Sequence, residues 1–166
     1  MLQRQLGHIV LNRIIETESA DPFFDPIEFF PATTPEDWDR HKAWMQPRAM
    51  DPVSGKLVLT IQSFLVQTRH HTIVVDTCVG DHKPRSMPRW NMTSSGKFLE
   101  NLAATRVQPE AVDYVMCTHL HRDHVGWNTR LRDGHWVPTF PNATYIFSQK
   151  EFDWRRVSSC RRASIA

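Results

Sequence analysis

Apolar and polar positions alternate in short runs along most of the chain, and these runs predict strands separated by a few helices. His8-Ile9-Val10-Leu11-Asn12-Arg13-Ile14-Ile15 is rich in β-branched residues and reads as a strand. Residues 57–68 and 72–78 predict a pair of strands, with Arg69-His70-His71 at the turn between them. Adjacent residues diverge on a strand or turn, so His70 and His71 read as exposed turn residues rather than ligands. Val112-Asp113-Tyr114-Val115-Met116-Cys117-Thr118 follows a break at Pro109 and has the short, largely apolar character of a buried strand. Residues 131–137 carry Asp133-Gly134 at their centre, a hairpin signal. Residues 143–147 predict one more strand.

Helices show different signals. Thr34-Pro35-Glu36-Asp37 supplies a cap hydroxyl, a proline at the first position and acids in the first turn, predicting a helix to about Met45. Ser94 or Ser95 is expected to cap a second helix with Phe98, Leu99, Leu102 and Ala103 on its apolar face. Residues 148–154 begin a third. Residues 21–52 differ in character: they hold six of the eleven prolines, with Phe23, Phe24, Phe29, Phe30, Trp38 and Trp44 between them. This segment reads as an insertion that packs on the core, walls a pocket or docks on a partner chain. Residues 81–92 form a Pro-rich, basic loop with His82, Trp90 and Asn91.

Composition narrows the class. A chain of 166 residues, 40% hydrophobic and 23% charged, has ordinary globular usage and suits one domain with a real core. No run approaches the eighteen apolar residues of a membrane span, so no membrane association is expected. The N-terminus lacks a cleavage-like small-residue site, and three unpatterned cysteines argue for reduced thiols; the expected location is cytoplasmic. The net charge of +2 owes four positives to Arg155, Arg156, Arg161 and Arg162, leaving a net of −2 over residues 1–154. That balance gives no support for a nucleic-acid surface. Residues 155–166 read as a basic, disordered tail after a domain spanning 1–154.

The chemistry concentrates in Thr118-His119-Leu120-His121-Arg122-Asp123-His124-Val125-Gly126-Trp127. Three imidazoles and a carboxylate within six positions are the borderline N and O donors that zinc selects. Side chains at i and i+2 of an extended segment point the same way, so His119 and His121 would converge on one point. Asp123 and His124 are adjacent and require a turn, which Gly126 would assist; that pair would face a second metal. A solvated loop and a closed structural zinc site are the competing readings. The latter usually draws on cysteine, and Cys78, Cys117 and Cys160 share no C-x-x-C spacing. The H-E-x-x-H pattern is absent. Asp76, at the end of its strand, is expected to fix backbone near the cluster rather than bind metal.

This H-x-H-x-D-H run after an apolar strand ending in Thr118 resembles the signature of the metallo-β-lactamase-fold hydrolases. The likeness extends to Val74-Val75-Asp76-Thr77-Cys78 and to the helix and Pro-Glu-x-Val-Asp lead-in of residues 94–113, covering about residues 57–154, and is nearest the lactonase-like and general hydrolase branches. The resemblance implies an α/β (α+β) fold, the N-terminal half of an αββα sandwich with a mixed sheet and flanking helices. It implies one or two zinc ions, with His119 and His121 on the first metal and Asp123 and His124 on the second. Asp123 would also act in catalysis by orienting the nucleophile. The implied reaction is attack of metal-bound hydroxide on a small-molecule carbonyl ester, lactone or related bond. Full members carry a second half with one further His for each metal and a bridging Asp. Nothing after His124 matches these, since His135 is the only later histidine. The chain therefore reads as truncated, with an apolar sheet surface and an edge left uncovered. Two functional readings stand: a hydrolase, with its site completed by homo-oligomer formation or in a longer parent, and a catalytically silent fragment.

Overall fold

The computed structural model describes residues 3–20 and 24–163, with side chains as far as Arg156. Its elements run β1 (Gln3–Leu6), β2 (Ile9–Ala20), α1 (Pro26–Phe29), α2 (Pro35–Met45), β3 (Val58–Gln67), β4 (Thr72–Val75), α3 (Lys97–Ala103), β5 (Tyr114–Met116), β6 (Thr129–Arg132), β7 (His135–Pro138), β8 (Thr144–Ile146) and α4 (Gln149–Ala163). Six strands form one sheet in the order β1-β2-β3-β4-β5-β8, while β6 and β7 make a separate hairpin. β3 and β4 are antiparallel, and β4, β5 and β8 are parallel. The sheet is therefore mixed, and the chain between the parallel strands β4 and β5 carries α3 as its crossover. This is the expected α/β architecture, a mixed sheet with helices in its connections.

Contacts divide the chain into two compact units, residues 1–16 with 61–166, and Thr17–Thr60. In the first, the period of two along the strands builds the core. Leu65, Val74, Val115 and Tyr145 lie in register across β3, β4, β5 and β8. They join Phe98 and Leu102 of α3, together with Ile14, Trp127 and Phe140. Phe98 stacks on Trp127 at 5.5 Å and meets Phe140 edge-on. Full burial of a ring of this size stabilises the fold by roughly 1.5–3 kcal/mol. The next register, Val75, Met116 and Ile146, turns to the other face of the sheet, where Met116 and Ile146 are exposed. Apolar side chains are thus exposed on that face.

The second unit contains α1 and α2. Thr34 and Asp37 form a reciprocal capping box at the start of α2, with Pro35 in the first turn, as the residues predict. Phe24, Met45, Met50 and Leu57 form its small core, with Trp38 packed against them. Phe30, Trp38, Trp44 and Met45 border an apolar cavity of about 420 Å³ within this unit. The aromatic residues that set residues 21–52 apart therefore include both core and cavity walls; Phe23 lies outside the described residues.

Two local expectations change. The residue preceding α3 is Gly96, in the left-handed region at φ 65°, which has no side chain of its own to cap the helix. Its amide donates instead to Asp81 Oδ2 at 2.7 Å, while Ser95 Oγ accepts from Lys97 N at 3.4 Å. At the other end of the chain, the backbone expected to be disordered from Arg155 is helical as far as Ala163. Arginine is a good helix former, which favours continuation of the helix. Residues 164–166 of that tail lie outside the described residues.

Candidate metal centre

The three parallel strands end on the same edge of the sheet, and the chemistry-bearing segments leave from these ends. Asp76 directly follows β4, residues 117–124 follow β5, and Glu151 lies in the first turn of α4 after β8. The His119 and His121 rings meet as their spacing predicts, with Nε2 of His119 3.0 Å from Nδ1 of His121. His124 is brought in by the turn, its ring centroid 3.9 Å from that of His119. Asp123 Oδ2 lies 3.4 Å from His124 Nε2. All four sequence-predicted site residues thus come together.

Their donor chemistry suits zinc. Zinc–nitrogen bonds of about 2.0–2.1 Å set two donors of one tetrahedral shell roughly 3.4 Å apart. The His119–His121 and Asp123–His124 separations are close to that value. Among the described residues, no group of three or more His, Cys, Asp or Glu side chains is arranged to hold one metal ion. A pair of these donors is one short of the three protein ligands of an ordinary catalytic zinc.

Asp76 organises this cluster from behind. It is buried and takes φ 58°, a left-handed conformation that Asp tolerates better than most residues. Its Oδ1 accepts the Thr118 amide at 2.8 Å, and its Oδ2 accepts the Thr118 hydroxyl at 2.7 Å. Oδ2 also lies 2.8 Å from His124 Nδ1. One carboxylate thus fixes both the entry to the cluster and one of its rings, leaving His124 Nε2 directed towards Asp123. Burial first, then the neighbouring His124 and His121, hold the His119 pKa below its ordinary value, which favours the neutral ring that a metal requires.

Cys78 and Cys117 are both free and buried. Burial, then Glu16, Asp76 and Asp123, push the Cys78 thiol far up, and burial also raises Cys117. His70, His71 and His135 are exposed and stand outside the cluster, as expected.

Two supporting groups, Glu16 and Glu151, are not indicated by the sequence, and a third, Gly126, plays a different part from the one expected. Glu16 is only 5% exposed. It accepts hydrogen bonds from the amides of Val79 and Gly80 and from Trp127 Nε1, at 2.9, 3.2 and 2.6 Å. It ties together the segments that follow β4 and the metal-donor run. Asn12, Ile14 and Glu16 occupy alternate positions of β2, and all three are buried. Glu151 accepts the Leu120 amide at 3.2 Å, between the two histidines. Gly126 was expected to assist a turn, but its place is set by close approach. A Cβ there would lie 1.9 Å from the carbonyl carbon and oxygen of Val79.

Comparison with known proteins places this geometry in a family. The profile described as the metallo-beta-lactamase superfamily matches residues 58–163. No curated protein matches the chain. Among solved structures, the hydrolase AbOPH of the beta lactamase superfamily is 27% identical with a TM-score of 0.64, covering 92% of this chain and 45% of its own. The dizinc quorum-quenching lactonase AidC, in complex with a product, is 19% identical with a TM-score of 0.69, covering 92% and 46%. A probable metal-dependent hydrolase from Staphylococcus aureus is 22% identical with a TM-score of 0.67, covering 90% and 50%. The chain spans about half the length of these solved relatives. With the family profile running from β3 through α4 and the fold shared with these structures, the chain belongs to the metallo-β-lactamase superfamily.

Proposed function

We propose that the chain carries the first-half metal ligands of a zinc-dependent hydrolase acting on a carbonyl ester, lactone or related bond of a small molecule. The observation that supports this most directly is the convergence of His119, His121, Asp123 and His124 at the carboxyl ends of the parallel strands. His119 and His121 would hold one ion, and Asp123 with His124 a second. A bound zinc ion supplies a Lewis acid for the developing oxyanion and lowers the pKa of water towards neutrality. The chain's own residues do the positioning: Asp76 orients His124, Glu151 anchors the backbone between the two histidines, and Asp123 presents its carboxylate beside the cluster to orient the attacking water. The hydrolase and lactonase descriptions of similar structures support the same reaction class. Among the described residues, no helix is long and apolar enough to cross a membrane.

The limit of two donors for each ion supports a second reading, in which the chain binds metal weakly and does not turn over substrate. Zinc analysis of the purified chain, combined with p-nitrophenyl ester and lactone hydrolysis, separates the two. Stoichiometric zinc with turnover abolished by His121→Ala supports the hydrolase. A folded chain that takes up no zinc and hydrolyses neither substrate overturns it.

A further inference from the structure

The loop after β4 brings the Arg85 guanidinium against the backbone of Arg122, inside the donor run. The acid of this loop, Asp81, is buried and accepts the Gly96 amide. Arg85 extends one Nη2 to two backbone carbonyls, Val79 O at 2.9 Å and Arg122 O at 3.5 Å. Arg122, flanked in sequence by His121 and Asp123, donates Nη1 to Ser86 Oγ at 3.0 Å. The two arginines therefore bridge the loop and the metal-donor run, and neutral oxygens take their observed hydrogen bonds. Among the described residues neither forms an ion pair, and Arg85 Nε is buried without a hydrogen-bond partner. Burial and the nearby Arg122 charge depress the Arg85 pKa, with Glu16 and Asp123 acting the other way, and an added anion would offset the repulsion between the two guanidiniums.

Resting on the hydrolase reading, we infer that Arg85 and Arg122 form an anion subsite beside the donor cluster and that the substrate carries a carboxylate. Guanidinium groups present rigid donor pairs that match a carboxylate, with charge-assisted bonds stronger than those between neutral groups. A singly charged group suits the place better than a dianion, because Asp123 and Glu16 also act electrostatically on Arg85. The subsite favours substrates bearing both a scissile carbonyl bond and an acid group over neutral esters and lactones.

The test is binding to the full chain after EDTA treatment, so that its outcome does not depend on zinc uptake or turnover. Arginine Nε–H resonances are followed by NMR at constant ionic strength while monomethyl succinate is titrated. Saturable shifts of Arg85 and Arg122 are expected, with affinity about tenfold weaker in Arg122→Gln, corresponding to loss of one charge-assisted contact. Lys97→Gln, which removes an exposed charge on α3, should bind as the parent does. Because Arg85 is partly buried, Arg85→Lys accompanies Arg85→Gln, and Arg122→Gln decides the matter if neither folds. Non-saturating shifts, equal binding of the neutral dimethyl ester, or unchanged affinity in Arg122→Gln would overturn the subsite. Tighter binding of inorganic phosphate would overturn the carboxylate assignment. Failure of the hydrolase reading would appear separately, as absent zinc and turnover in untreated protein.

Discussion

Oδ2 of Asp76 lies 2.8 Å from Nδ1 of His124, so the strand that precedes the crossover fixes a ring on the segment that follows it. A carboxylate behind a ligating imidazole sets its orientation and raises its basicity, and losing such a partner typically weakens metal binding 10–100-fold. Asp76→Ala should therefore raise the zinc dissociation constant of the chain by about that factor, measured by competition with a chromophoric chelator. Asp76→Asn retains an acceptor oxygen and should fall between the two. Equal zinc affinity in parent and alanine variant would show that the contact does not support the metal.

Gly126 tests a purely steric relationship. A Cβ at this position would collide with Val79 backbone at 1.9 Å, and only main-chain separation relieves that overlap. Gly126→Ala is expected to destabilise by about 3 kcal/mol, the upper range for overpacking, as read by urea unfolding. Gly134→Ala provides the contrast: it has φ 78° but nothing within 4 Å, leaving only the left-handed backbone cost of about 1 kcal/mol. Similar losses for the two variants would refute the close-approach argument.

What the sequence disclosed and what it concealed follow from the range of the interactions. The capping box of Thr34 and Asp37 and the Asp133-Gly134 hairpin are local, and the structure forms both where the residues indicate. Convergence of His119 with His121 depends only on a two-residue spacing and was equally legible. Glu16 was not, because its partners Val79, Gly80 and Trp127 lie 63 to 111 positions away. An isolated carboxylate in a β-branched run reads as a solvated position until the fold supplies three donors for it. Gly126 was misread for the same reason: a glycine near a turn suggests a local conformational need, whereas the neighbour it accommodates is Val79.

Glu16 should make stability depend on pH in a defined direction. Burial raises its pKa above 4.5, and the bonds from Val79, Trp127 and Gly80 only partly offset this. A carboxyl group with a raised folded-state pKa stabilises fully below its unfolded value, and that contribution is lost as pH rises through the folded value. The stability of the parent relative to Glu16→Gln should consequently fall as pH rises above 4.5, as followed by urea denaturation. Glu16→Ala, which leaves buried donors unpaired, should cost at least about 2 kcal/mol. A difference that widens with rising pH would contradict this account.

Lys83 offers the complementary case on the basic side. Its Nζ donates to Thr129 Oγ1 at 2.8 Å and sits 3.6 Å above the Trp136 ring centre. The ring attracts the ammonium, yet burial, followed by the nearby Arg85 charge, lowers the pKa from 10.5 to about 8. A base whose folded-state pKa is depressed contributes stability that is present above the unfolded value and lost as pH falls through the folded one. The parent should therefore lose stability relative to Lys83→Met between pH 10.5 and pH 8, with little further change below. Direct titration of the Lys83 Cε resonance should show a midpoint near 8, against about 10.4 for an unperturbed lysine. A midpoint at the unperturbed value would mean that the Trp136 contact outweighs desolvation and Arg85 together, and the stability difference should then lose its pH dependence as well.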